Sequence, residues 1–271
     1  MRYNATIAAV HNGRTDLENR LAAIEMRRHA NGGKIARWYR DNARIIDGGK
    51  LPTIAHENSK LKDTNEIAFL IWNLPAMITC PGATADCMRN CYARKAERFE
   101  SVRRSRARNL AWARRADFVD AMTAALNDKL FTKAGKLRKP YKGKKVVFRV
   151  HESGDFFGKA YIRAWFEIAR RFPEIQFFAY TKSFKIYAAV IRECPENFTI
   201  RGSIWADTAT DDIKFITDNN MPYYTAVPAD MLLDTLAAVA KSAACDCESG
   251  CGACHCMCAC KAAQNIFAAI H

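Results

Sequence analysis

The chain has 271 residues, 49% hydrophobic and 26% charged, which is long enough for a sizeable core and too apolar for a disordered chain or a fibre. Lysine and arginine outnumber the acidic residues 42 to 28, a net charge of +14. Such an excess favours polyanionic partners such as nucleic acid, nucleotides or anionic lipid.

The first elements in chain order are two polar helices. Thr15 and Glu18 have the spacing of a capping box ahead of Leu17, Leu21 and Ile24, and Gly32-Gly33 ends that run. A second helix is expected over Ile35 to Ile46. The opening residues lack the long apolar region of a secretory signal. The most apolar stretch, Ile67 to Ile78, is interrupted by Asn73 and Pro75 and falls short of the roughly 20 residues that span a membrane. A cytoplasmic protein with no membrane partner is therefore expected.

From about residue 66, short runs rich in β-branched and aromatic residues alternate with helical periodicity. Strands are expected at Ile67–Trp72, Lys145–Val150, Ile175–Tyr180, Phe198–Trp205 and Tyr223–Val227, with a sixth at Ile266–Ala269. The clearest helix runs from Gly158 to Phe172, where Ile162, Trp165, Phe166 and Ala169 recur at helical spacing before Pro173. Alternation of this kind predicts an α/β fold with a mainly parallel sheet. Sites in such folds gather at the carboxyl ends of the strands, and here those ends carry Cys80, Cys87 and Cys91, then His151 to Asp155, then Thr181-Lys182-Ser183, then Asp207-Thr208.

Cysteine carries the strongest chemical signal. Of eleven, three lie in the loop after the first long strand with the spacing C-x6-C-x3-C, and seven lie between Cys245 and Cys260. In a reducing compartment such clusters are metal ligands more often than disulfides. Three thiolates suit an iron-sulfur cluster with one open iron, or a zinc loop completed by a distant ligand. The tail has no room for a hydrophobic core of its own, so soft metal must organise its seven thiols. Cys256, Cys258 and Cys260 alternate in a way that resembles metallothionein-like chelation.

The segments NSKL, LPAMITCPGA, CMRNCYA, RVHESGDF and AYTKS, in that order from about residue 58, with the closing cysteines and His271, resemble the phage gene product 88 family. The layout is also similar to that of radical S-adenosylmethionine enzymes. That likeness implies a partial (βα) barrel of five to six parallel strands over residues 58–241, preceded by a helical extension over 1–57 and followed by a cysteine-rich tail over 242–271. It further implies a cluster of the 4Fe-4S type on Cys80, Cys87 and Cys91, an electron donor, and S-adenosylmethionine held near His151, Glu152, Ser153, Gly154, Asp155 and Lys182. The phage resemblance makes the compartment a host bacterial cytoplasm, and the likeness of Cys247, Cys251 and Cys254 to that family's cysteine-rich end implies a second iron-sulfur cluster or a zinc knot there, with Cys245 as a candidate fourth ligand. Plain structural alternatives stand beside these roles: Asp155 as a helix cap, His151 as a buried imidazole, and Lys182 as the start of a helix.

Nine basic residues lie between Arg94 and Arg115 against two acidic ones, Glu97 and Glu100. The run is either a solvated outer helix packing through Trp112 and Phe118 or a surface that brings phosphates to the rim. These readings leave two function classes: an iron-sulfur enzyme acting on a nucleotide, nucleic acid or other anionic substrate, and a zinc-stabilised nucleic-acid-binding phage protein without catalysis.

Overall fold

A computed structural model describes residues 15–42, 50–58, 61–227 and 265–269. Two helices, α1 (Asp16–Gly32) and α2 (Lys34–Asn42), come first, followed by the short strand β1 (Ala55–His56) and then β2 (Ile67–Trp72). The loop after β2 carries α3 (Ala85–Arg89), α4 (Tyr92–Ala96), α5 (Glu100–Ala113) and α6 (Phe118–Leu130). Next come β3 (Lys145–Val150), α7 (Lys159–Arg171), β4 (Gln176–Thr181), α8 (Phe184–Ala188), β5 (Phe198–Ile204), α9 (Thr210–Asp218), β6 (Tyr223–Val227) and β7 (Asn265–Ala269).

The strands lie side by side in chain order. β1 is antiparallel to β2, pairing Ala55 with Ile71. From β2 onward all pairs are parallel, as in Ile67 with Lys145, Phe177 with Phe198 and Tyr223 with Asn265. The sheet is open, with β1 and β7 at its edges. The mixed α/β, mostly parallel architecture is as expected; among the described residues the sheet does not close into a barrel.

Alternation along β2 explains the layering. Ala68, Leu70 and Trp72 join the main core with Met122 and Leu126 of α6 and Trp165 of α7. Phe69 and Ile71 face the other way, into a small cluster with Leu61, Val147 and Phe178. Both faces are thus buried, which is why the strand reads as a continuous apolar run. Helix α7 spans the expected residues and buries Ile162, Trp165, Phe166 and Ala169, each contributing up to about 1.5–3 kcal/mol of hydrophobic stabilisation for the larger side chains.

At α1 the expectation is met at the cap and missed on the face. Thr15 and Glu18 form the reciprocal capping box. Leu17, Leu21 and Ile24, however, are 67%, 57% and 46% exposed, and Asn19 and Ala23 are buried instead. The helix turns this small-residue face to the cysteine loop, where Ala23 packs with Ala83 and Met88, because small side chains permit the closer approach. The end of the second expected helix at Ile46, the tail cysteines Cys245, Cys247, Cys251, Cys254, Cys256, Cys258 and Cys260, and His271 lie outside the described residues.

Candidate thiolate site and its rim

The cysteine loop begins where β2 ends, and the turn after β3 clamps it. Ser153 accepts the Leu74 amide through its carbonyl (2.8 Å), donates its hydroxyl to the Leu74 carbonyl (2.8 Å), and gives its own amide to Asn73 Oδ1 (2.9 Å). The Asp155 amide donates to the Thr79 carbonyl. Gly154 sits at φ +90°, and a Cβ there would meet Leu74 Cβ at 2.6 Å and Thr79 Oγ1 at 2.7 Å, so glycine is required on both counts. Further along, a Cβ on Gly82 would fall on the carbonyl of Lys182, far inside van der Waals contact. The loop is therefore held against the ends of both β3 and β4.

Between these anchors Thr84 caps α3 by accepting the Cys87 amide at 3.3 Å, and Cys91 occupies the N-cap position of α4. All three loop cysteines are free thiols. Burial pushes the Cys80 thiol up, and neighbouring Asp155, Cys87 and Cys91 add to the rise. Burial raises Cys91 as well, with Cys87 adding to it and the backbone amides of Arg94 and Ala93 opposing. The three sulfurs are thus electrostatic neighbours. Among the described residues no group of three or more His, Cys, Asp or Glu is gathered closely enough to hold one metal ion.

Lys182 stands beside the thiols. Its Nζ donates to Ser203 Oγ at 2.8 Å, lies 5.4 Å from the centre of the Trp205 ring, and has Cys87 within hydrogen-bonding reach. Burial opposes its charge, but Cys87 and Asp155 outweigh burial and hold the ammonium above its usual range. The buried Asp155 carboxylate accepts three donors: the Phe156 amide (2.7 Å), Thr181 Oγ1 (2.8 Å) and the Lys182 amide (2.8 Å). Burial nonetheless raises its pKa. This carboxylate links the ends of β3 and β4 and does not cap α7, whose N-cap is Gly158.

The other residues of the turn part company. Glu152 accepts from Asn58 Nδ2 through Oε1 (2.8 Å) and from the Tyr92 hydroxyl through its carbonyl (3.0 Å), so it stands near the last cysteine of the loop. His151, with φ +67° and 3% exposed, lies on the helix side, its Nε2 2.9 Å from the Tyr161 hydroxyl and its ring edge-on to Phe156. Burial, with a smaller contribution from Arg149, lowers its pKa to about 3. It is a neutral buried imidazole.

The basic run after the loop is largely consumed by the fold. Arg106 is buried and pairs with Glu97 at 2.9 Å. Arg103 donates to the carbonyls of Glu97 and Arg98 and stacks over Trp38. Arg104 pairs with Glu100, Arg108 donates to Thr53 Oγ1, and Arg115 pairs with Asp117.

Beside the thiols, α1, Pro81–Thr84 of the thiol loop and the segments after β4 and β5 line a cleft of about 400 Å3. Arg27, Lys185 and Asp212 line it and carried no signal in the sequence, since each belongs to no motif. Burial holds Asp212 up to about 6, with Lys185 opposing. Asp207 and Ser183, read from the sequence only as polar strand ends, line it too.

A family description, gene product 88, matches residues 40–269. The chain belongs to that family. It is 38% identical over 107 residues to the gene 88 protein of Mycobacterium phage L5, a match covering 38% of this chain and 43% of that protein. With the gene 88 protein of Mycobacterium phage D29 the identity is 37% over 107 residues, covering 38% and 42%. The chain thus spans under half the length of these curated relatives. No solved structure matches it. Within the gene product 88 match lie all the thiol-loop residues and the strand ends, whereas α1 precedes it. The likeness to radical S-adenosylmethionine enzymes finds no support in these comparisons.

Replacing Gly82 with alanine is expected to force the loop off β4 and lower stability by about 1–3 kcal/mol, the usual cost of overpacking. The readouts are a lower unfolding midpoint and faster alkylation of Cys80 and Cys87 by peptide mapping. Unchanged labelling would show that the loop does not need this contact.

Proposed function

We propose that this gene product 88 chain is an iron-sulfur protein whose cluster is held by Cys80, Cys87 and Cys91 at the carboxyl rim of the sheet, and that it is an enzyme of radical S-adenosylmethionine-like, partial-barrel type acting on an anionic substrate. The observation that carries the reading is the set of three free thiols, mutually coupled and clamped at the strand ends where parallel α/β folds place their chemistry.

The donor set suits a cluster better than a lone ion. A single zinc needs its sulfurs about 2.3 Å from one point, whereas a cluster takes each thiolate on a different iron and tolerates wider spacing. When bound, the cluster supplies one-electron chemistry to a small molecule at its open iron. The protein's own residues have separate tasks. Lys182 offers a cation to the thiolate side, Asp155 fixes the Lys182 backbone, and the Ser153–Gly154 clamp sets the loop's path. In this proposal Glu152, held by Asn58 and beside Tyr92, is a candidate acceptor for the cofactor's amine. The tail residues Cys245, Cys247, Cys251 and Cys254 form a second metal site in this proposal, of iron-sulfur or zinc type.

Isolation without oxygen, followed by iron, sulfide and zinc analysis and visible absorption, tests the reading. Iron and sulfide are expected in equal, stoichiometric amounts, and serine at Cys80, Cys87 or Cys91 is expected to abolish the loop cluster while serines at Cys245, Cys247, Cys251 and Cys254 spare it. A folded chain with stoichiometric zinc and no iron overturns it.

A further inference from the structure

Among the described residues, the cleft beside the thiol loop contains three buried polar atoms without partners, Asp207 Oδ1, Ser183 Oγ and Arg27 Nε, all on residues that line it. Asp207 and Ser183 are each 3% exposed. Buried polar groups are ordinarily satisfied, and an orphan in a native structure marks something missing from the account.

The remaining charges of the cleft are engaged elsewhere: the Lys182 ammonium is taken up by Ser203 Oγ and the thiol side. Arg20 pairs with Asp211 at 3.8 Å, Asp16 accepts from the Thr210 amide and hydroxyl at the start of α9, and Lys185 lies opposite Asp212. Arg27 and Asp207 differ. Arg27 spends Nη2 on the Ala83 carbonyl (2.8 Å), and Asp207 spends Oδ2 on the Asp86 amide (2.8 Å). Each thus makes a backbone bond that fixes its position without neutralising its charge. Among the described residues the lining thus holds a carboxylate, Asp207, and a guanidinium, Arg27, with no ion-pair partner, together with an unpartnered hydroxyl on Ser183. Burying either charge unpaired is costly. A bound molecule carrying the opposite charges would relieve both.

We infer that this cleft is a binding site for a small zwitterion of the α-amino-acid class, its ammonium on Asp207 and Ser183 and its carboxylate on Arg27. A volume of about 400 Å3 lies within the roughly 300–1,000 Å3 range of ligand pockets and accommodates such a molecule with its side chain. Ala23, Ile24, Phe184 and Ile186 provide the apolar lining that a side chain would meet. The two recognition groups have different origins. Asp207 and Ser183 belong to the segment matched by the family, and Arg27 belongs to α1, which precedes it. The carboxylate-recognising half is therefore contributed by the helical extension of this chain. The inference does not depend on the cluster.

The test is calorimetric titration of the full chain, iron-free, with the L-amino acids, followed by the decarboxylated amine and the deaminated acid of the tightest binder. The wild type is expected to prefer the zwitterion to either analogue by about tenfold or more, the scale of one charged hydrogen bond. Asp207→Asn is expected to erase the preference over the deaminated acid, and Arg27→Gln the preference over the amine. Each variant retains the other preference, which a merely unfolded protein could not do. Absence of binding by every amino acid, or both preferences intact in both variants, overturns the inference. Because no iron is present, a failed cluster reconstitution and a failed titration are separate results.

Discussion

Glu97→Ala is expected to lower the unfolding free energy by about 3–5 kcal/mol, the cost of removing one partner of a buried ion pair. Glu97 is 1% exposed, and its Oε1 accepts from Arg106 Nη1 (2.9 Å), the Tyr39 hydroxyl (3.1 Å) and the Ala76 amide (2.8 Å). Those donors come from α5, from α2 and from the chain just before the cysteine loop. One carboxylate therefore ties the helical extension and the loop to the helix that follows them. Burial first, and then the Glu97 charge, push the Tyr39 phenol above its usual range. Removing the carboxylate strands the Arg106 guanidinium, whose side chain is only 6% exposed. Urea denaturation of the variant measures the loss, and Glu97→Gln in a chain that also carries Arg106→Met is expected to recover a large part of it, because no unpaired charge then remains. A loss under about 1 kcal/mol would mean that water reaches the pair and solvates it as on a surface.

The same pair shows where sequence reading stops. Counted along the chain, Glu97 is a minority acid in a basic run and Arg106 one of nine cations; in space they form a buried centre, while Arg103, Arg104, Arg108 and Arg115 find partners nearby. Charge counting cannot separate a solvated guanidinium from one inside the fold, because the difference lies in which helix packs over it. The strands were legible for the opposite reason. β2, β3 and β6 fall on the expected residues, and β4 and β5 differ at their ends by one residue, since β-branched and aromatic residues recur along them, even where, as in β5, Thr199, Arg201 and Ser203 are buried between them. The thiol loop was legible from its spacing. The HESGDF turn was legible as a strand-end feature, but its hydrogen bonds go substantially into clamping the loop, through Ser153, Gly154 and Asp155. The cleft was not legible as a site, because Arg27 and Asp207 lie far apart in the chain and come to line one cavity only when α1 docks by its small-residue face.

Acid sensitivity traceable to one imidazole is the other large effect expected of this fold. His151 titrates at about 3 in the folded chain and near 6.5 once unfolded. Below pH 6.5 the unfolded chain takes up a proton that the folded chain refuses, so His151 lowers stability as pH falls, from no effect above 6.5 to its full effect near 3. The slope approaches about 1.4 kcal/mol per pH unit, and the loss reaches roughly 4–5 kcal/mol at the acid end. The cause is spatial: the ring is wedged against Phe156 and bonded to Tyr161, which in turn accepts from Trp72 Nε1, and no acidic partner faces it to offset burial. His151→Gln supplies an acceptor in place of Nε2 and cannot titrate. Subtracting the stability of the variant from that of the wild type at each pH removes the shared titration of carboxylates such as Asp155, whose own pKa is raised by burial. The difference is expected to be flat above pH 7 and to decline steadily from 6.5 to 4. A flat difference across that whole range would mean that the folded protein accommodates the imidazolium, and that this side chain reaches solvent or a counter-charge.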